Sequence, residues 1–445
     1  MLSFMYCCTG RERGIGMKRF LLILLCLAMV FGMLACGKQE ETPQETQKVW
    51  EPTPFDNVVD DPKTWYDAFN ALPIANSEMT TDELRQLCVD YFRLQLSFTW
   101  TPNMNISFIN ISDRQNDLPV GMAYSGMFYR SGNSYGGGNL YKAVKYYNPE
   151  TGVMDVAGMK DVYNVLASHC SWGAMMAWAR VCSTAKMNQM TKFLPSYGAL
   201  TVGPYTFDET KVDLSTDDAT TKIILQNGEQ VMYESYANML PADGLYSSPA
   251  WHVEMCSIAP VVVRNADGTI NGEESYLHFC DQNADGTNGW LDMEKQADGT
   301  PLRTLGGVDR KVSFAKMMRD GYIPFTLAEF LGTDPVEEGK AWVGGKETGY
   351  ENGTTIPADQ LFQQSVRSNY VIANVKITVK DPDGKVLLSY IPELWTDHTI
   401  WPVKLENGYD AEKLLPLADG KNLINITVQL ATGAWVEAFE TQLTQ

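Results

Sequence analysis

The stretch from Ala167 to Cys182 constrains the rest of this chain more than any other. It reads Ala167-Ser168-His169-Cys170-Ser171-Trp172-Gly173 and continues through Met175, Met176, Trp178 and Val181 to Cys182. Ser168 is placed as a helix N-cap, Cys170 follows just behind it, and a run rich in alanine, methionine and tryptophan comes next. Such a helix offers little for water to solvate, so the remaining sequence has to supply what it packs on. Unpaired N–H donors and the positive dipole end at a helix start favour a thiolate over a thiol. Cys170 therefore stands where a nucleophile is best placed.

Within 445 residues there is room for more than one domain, at about 100–200 residues each. The formal charge of −19, from 35 basic and 54 acidic side chains, repels phosphate backbones and argues against nucleic acid as a partner. Cys7, Cys8 and Cys26 lie in or before an export segment. The others (Cys36, Cys88, Cys170, Cys182, Cys256 and Cys280) form no CxxC pair and no metal-ligand spacing, so neither a disulfide framework nor a metal or other cofactor is expected. Only His169, His252, His278 and His398 are available for histidine chemistry.

Met17-Lys18-Arg19 reads as the true start of the chain, followed by an apolar run from Phe20 to Leu34 of signal-peptide length. Met33-Leu34-Ala35-Cys36 resembles the bacterial lipoprotein box. That resemblance implies cleavage after residue 35, lipidation of Cys36, and an exported protein anchored at the membrane and facing the cell wall. Residues 37–54, rich in Gln, Glu, Thr and Pro, read as a flexible tether. A first domain is expected over 55–331. It opens with a capping box at Thr80 and Glu83 and an apolar stripe through Leu84, Leu87, Cys88, Tyr91 and Phe92. A glycine-bracketed turn carries Tyr124, and strand patterns follow around Trp251–Cys256 and Ser275–Cys280. Glycine- and charge-rich residues 332–364 read as a linker. Beyond it, Val371, Ala373, Val375, Ile377 and Val379 alternate, and 365–445 is expected to form an immunoglobulin-like β-sandwich. His398 falls in a turn there.

A nucleophilic cysteine needs a histidine within reach and a third polar group to orient it. The chain supplies Cys170 at a helix start, His252 on a strand and a polar residue on the next strand, which is the order of papain-like enzymes. Here the sequence resembles the NlpC-type cell-wall cysteine peptidases over about residues 118–285. Gly121-Met122-Ala123-Tyr124 is similar to their G-x-P-Y turn, and His169-Cys170-Ser171 to their helix start. Ala242-Asp243-Gly244 with Trp251-His252-Val253 is similar to their G-D turn and H-V strand. Histidine stands before the cysteine where the family has aspartate, and Ala123 replaces proline. The resemblance implies an α+β, papain-like domain with the nucleophile helix on an antiparallel sheet. It also implies Cys170 as nucleophile, His252 as general base, and Tyr124 beside the oxyanion.

The third member is open between His278, which matches the family's usual type, and Asp281, a carboxylate. Trp172 and Trp251 flank the two reactive positions and are expected to wall the cleft. Asp281 also begins a D-x-N-x-D-G run ending at Gly286, with Asp292 beyond; an Asp-Gly hairpin explains it better than a calcium loop. The resulting expectation is a peptidase or amidase acting on peptidoglycan stem peptides through a Cys170 thioester. The rivals are a non-catalytic glycan- or peptide-binding lipoprotein, and an amide or acyl transferase with the same dyad.

Overall fold

Period-two alternation in the second half of the first domain builds one antiparallel sheet, and the cysteine helix lies across it. A computed structural model describes residues 61–109, 115–130, 138–183, 194, 198–208, 210–283, 293–295, 301–304, 306–346, 348–393, 403–408 and 410–445. The signal segment, Cys36, the tether, the 284–292 part of the Asp-Gly run and His398 lie outside the described residues. The architecture is mixed α+β with several sheets.

The central sheet contains β1 (Gly244–Ser247), β2 (His252–Val261), β3 (Tyr276–Asp281), β4 (Gly307–Ser313) and β5 (Tyr322–Thr326). Their order across the sheet is β4-β3-β2-β1-β5, with Leu200–Thr201 on the far edge and every pairing antiparallel. Register sets Ser247 opposite His252, Leu245 opposite Glu254, and Met255 opposite Cys280. A second six-stranded sheet holds Thr99–Pro102 beside Ala123–Ser125, and so carries Tyr124.

Helix α1 (Thr81–Ser97) starts with the expected capping box. Thr80 Oγ1 accepts from the Glu83 N–H at 3.3 Å, and Glu83 Oε2 accepts from the Thr80 N–H at 2.7 Å. Its apolar stripe is buried, but so are Arg85, Asp90, Arg93 and Gln95, because α1 is covered on more sides than an amphipathic surface helix. Helix α2 (Cys170–Trp178) is buried along its whole length and packs against α1, β2 and β3. Gly173 permits the contact with α1: a Cβ there would lie 2.9 Å from Gln95 Nε2 and 3.2 Å from Phe92 Cε2. The N-cap is His169, whose side chain accepts from the Trp172 N–H, and Ser168 belongs instead to the short strand Ala167–Ser168.

The C-terminal strands β6 (Ile372–Lys380), β7 (Val386–Tyr390), β8 (Leu423–Leu430) and β9 (Trp435–Thr444) run in the order β9-β8-β6-β7, with Ile356–Pro357 beside β9. The alternating residues Val371 to Val379 are all buried. The stretch read as a linker, 332–364, is structured: Ala341–Val343 and Ile356–Pro357 are strands, and Ala358–Leu361 is a helical turn. Its glycines and charges occupy turns, while Val343, Ile356, Leu361 and Phe362 are buried in the C-terminal core. That core is not isolated from the first. Arg180, just past α2, is fully buried and donates to the Ala431 carbonyl at 3.3 Å, to Pro73 O at 2.6 Å and to the Tyr141 hydroxyl.

One ion pair fixes α1 to the turn ahead of β1. Arg85 donates to Asp243 Oδ1 at 2.7 Å and to Pro241 O at 2.9 Å, both side chains being 2% exposed. Removing one member strands the other charge in the interior, at a cost of about 3–5 kcal/mol, whereas an apolar pair of similar volume is close to neutral. Asp243→Ala is therefore expected to lose about 3–5 kcal/mol in urea unfolding, and the double variant Arg85→Met, Asp243→Leu to recover most of it.

Candidate active site

Three elements meet at the start of α2. The helix presents Cys170 at its first turn, β2 begins with His252, and β3 ends with Asp281. His252 Nε2 lies 3.1 Å from Asp281 Oδ2, and Cys170 is close enough to favour the charged imidazole. Asp281 is held in turn by Arg310, whose guanidinium is 3.5 Å from Oδ1. Gly307 makes room for both side chains, because a Cβ there would sit 2.2 Å from Asp281 Oδ1 and from Arg310 Cδ.

Trp251 precedes β2 with φ at +51°, a left-handed conformation costing a non-glycine residue about 1–2 kcal/mol. It brings the Trp251 carbonyl oxygen to 3.7 Å from Cys170 Sγ and leaves the residue 53% exposed. The Tyr129 hydroxyl approaches the sulfur from the Phe128–Tyr129 strand, at 4.0 Å.

Burial alone would push the Cys170 thiol up. The neighbouring His169 and His252 imidazoles reverse this and bring it down to about 5. Burial likewise disfavours a charged His252, and the Asp281 and Cys170 partners overcome it, holding the imidazole well above its ordinary value. Both shifts run toward a thiolate–imidazolium pair. The other cysteines differ: burial pushes Cys88, Cys256 and Cys280 up, with Cys280 at about 12. Among the described residues Cys88, Cys170, Cys182, Cys256 and Cys280 are buried and in no disulfide.

The expected site residues divide clearly. Cys170, His252 and Asp281 come together. His278 does not: it is half-buried, meets the Tyr276 ring edge-on at 5.5 Å, and responds to Asp309, Lys311 and Arg93. It lies three positions before Asp281 on β3, so strand alternation carries it to the other face. Tyr124 is fully buried against Trp100 at 5.2 Å, with its hydroxyl 3.5 Å from Pro119 O; Tyr129 is the tyrosine beside the sulfur. Trp172 is 2% exposed and donates from Nε1 to Gly138 O at 2.7 Å, so only Trp251 is available to line a cleft. Two positions past Cys170, a helical side chain points well away from it.

Sequence reasoning weighed His169 as a local partner of the thiolate and passed over Ser171, Glu254 and Tyr322. His169 Nδ1 lies 3.0 Å from Ser171 Oγ, and the ring favours the Cys170 thiolate. Glu254 Oε1 is 3.8 Å from His252 Nε2, and Tyr322 favours its ionised form. The signal for Glu254 was present as a charged residue two positions along a strand from His252. Among the described residues His252, Glu254 and Asp281 bring donor atoms within 4.8 Å of one another. With the imidazole engaged by both Asp281 and Cys170, the arrangement is suited to proton transfer.

The pKa directions give a signed expectation. A thiolate persists above its pKa, so iodoacetamide labelling of Cys170 is expected to stay fast down to about pH 5 and fall below it. In Asp281→Asn the imidazolium loses its anion, the thiol rises toward its ordinary value, and labelling at pH 6 is expected to drop at least about tenfold, one pKa unit being 1.36 kcal/mol. Peptide mapping of the labelled protein checks both.

Comparison with known proteins supplies no relative to set beside this geometry: no family model matches the sequence, and no curated protein and no solved structure matches the chain.

Proposed function

We propose that this protein is a cysteine peptidase or amidase of papain-like type that hydrolyses amide bonds in peptidoglycan stem peptides. The reading rests on one observation, the sulfur–imidazole–carboxylate chain from Cys170 through His252 to Asp281 at a helix start. The helix lying on an antiparallel sheet, with base and carboxylate on adjacent strands, supports the papain-like assignment. The C-terminal strands are read as an immunoglobulin-like contact module, and the lipoprotein-type segment ending at Cys36 as the anchor that holds the enzyme to the membrane, facing the wall.

In this mechanism the Cys170 thiolate attacks the scissile carbonyl carbon and the C–S bond forms. The oxyanion meets the Cys170 backbone N–H, which a helix start leaves without an intrahelical acceptor, and the Tyr129 hydroxyl. The His252 imidazolium gives its proton to the leaving amine as the C–N bond breaks. His252, now neutral, takes a proton from water; the hydroxide adds to the thioester, the C–S bond breaks, and thiolate and imidazolium are restored. Asp281 keeps the ring oriented throughout. Trp251, exposed beside the sulfur, offers apolar surface to the substrate.

The test is digestion of purified peptidoglycan by the mature protein, with mass spectrometry of the released fragments. Cys170→Ala is expected to lower product formation by at least about a thousandfold, the scale for removing a nucleophile. Products carrying an added amine instead of a new carboxylate would favour the transferase. Unchanged wall binding by both proteins, with no product from either, would sink the enzyme reading in favour of a binding lipoprotein.

A further inference from the structure

The second carboxyl at the site has no part in the mechanism above. Glu254 follows His252 by two positions on β2, so both side chains leave the same face of the strand. Its Oε1 is 3.8 Å from His252 Nε2, against 3.1 Å for Asp281 Oδ2, and Glu254 is only 5% exposed. His252 and Arg310 supply two cations against the Cys170 thiolate and one carboxylate, so a second buried carboxylate would be left unbalanced and one carboxyl keeps its proton. Asp281 has the closer imidazole and the Arg310 guanidinium. Glu254 has beside it the uncharged Tyr322 of β5, whose ring also stands edge-on to His252 at 6.5 Å. The geometry makes Glu254 the neutral member.

We propose that Glu254 is a positioning residue that stores a proton beside the Cys170–His252 pair and, once ionised in alkaline medium, holds the imidazolium as a second counter-charge. The proposal rests on the thiolate–imidazolium reading of the site. Burial pushes the Glu254 carboxyl up to about 8; Asp281 on β3 adds to the rise, while His252 on the same strand, Tyr322 on β5 and Arg310 on β4 pull it down. Opposite it on β1 stands Leu245, which carries no charge. From α2, Cys170 acts on the cluster through His252. Glu254 and His252 titrate as one unit, losing protons in shared steps.

The experiment is the pH profile of Cys170 alkylation by iodoacetamide in the full-length protein, in wild type, Glu254→Gln and Tyr322→Phe. The profile has an acid limb where the thiolate forms and an alkaline inflection where the imidazolium loses its proton. Ionised Glu254 delays that loss, so in Glu254→Gln the alkaline inflection is expected to fall by about one pH unit, the scale for removing a nearby opposite charge. Tyr322→Phe removes the donor that favours the carboxylate, and is expected to move the inflection the same way by less. Should Glu254→Gln not fold, the Tyr322 variant carries the test. An alkaline inflection unmoved in the folded variants, whatever happens to the plateau rate, overturns the proposal and leaves Glu254 a structural residue. A wild-type profile with no acid-side thiolate overturns it too, and with it the peptidase reading.

Discussion

Everything in the first domain answers to the burial of α2. From Cys170 to Trp178 no residue reaches solvent appreciably, so the helix needs cover on every side and obtains it from α1, the central sheet and the residues around Gly138. A helix enclosed in this way has only its ends left for chemistry. Its N-terminus offers unpaired N–H groups and a favourable dipole for an anion, and there the chain places Cys170, a thiol whose neighbours pull its pKa down. Burial and reactivity pull against each other at Cys170, since desolvation favours the neutral thiol. The outcome is decided by two imidazoles, His169 from the cap and His252 from β2, which together outweigh desolvation.

The polar groups of the interior join layers that apolar contacts alone would not align. Arg85 reaches from α1 to Asp243 and Pro241 at the entry to β1. That entry sets the start of β1 and, through register, the position of His252 opposite Ser247. Arg180 performs the same task at the other end of α2, collecting carbonyls from Pro73 and Ala431. The second contact lies just past β8 among the C-terminal strands, so the end of α2 is fastened to strands more than two hundred residues away. Val371 and Ala373 belong to the main core while Val375, Ile377 and Val379 belong to the C-terminal one, so a single strand pattern spans both.

What was legible in the sequence was what depends on local pattern. The capping box at Thr80 and Glu83 and the alternation from Val371 to Val379 both survive into the fold because each is set by helix or strand period. What depends on packing was not legible. Trp172 looked like a cleft wall because it neighbours Cys170, but helical geometry turns it into the core. Tyr124 sat in the expected turn, yet the second sheet buries it against Trp100, and Tyr129 reaches the sulfur from a strand of two residues. Composition made 332–364 resemble a linker, although its few apolar residues are spaced to enter the C-terminal core. The choice between His278 and Asp281 turned on strand parity, which a register shift between Phe279 and Asp281 complicates further.

The start of β2 brings three demands to one short piece of chain. Trp251 must adopt a left-handed backbone, His252 must meet both Asp281 and Cys170, and Glu254 must sit close enough to influence the imidazole. Such strain persists only where the surroundings over-determine it, and here they do, with β1 and β3 pairing on either side of β2. The exposed indole and the buried imidazole are consecutive residues, so the left-handed backbone at Trp251 turns one ring to solvent and the next into the site, at the head of a strand that the sheet holds on both edges.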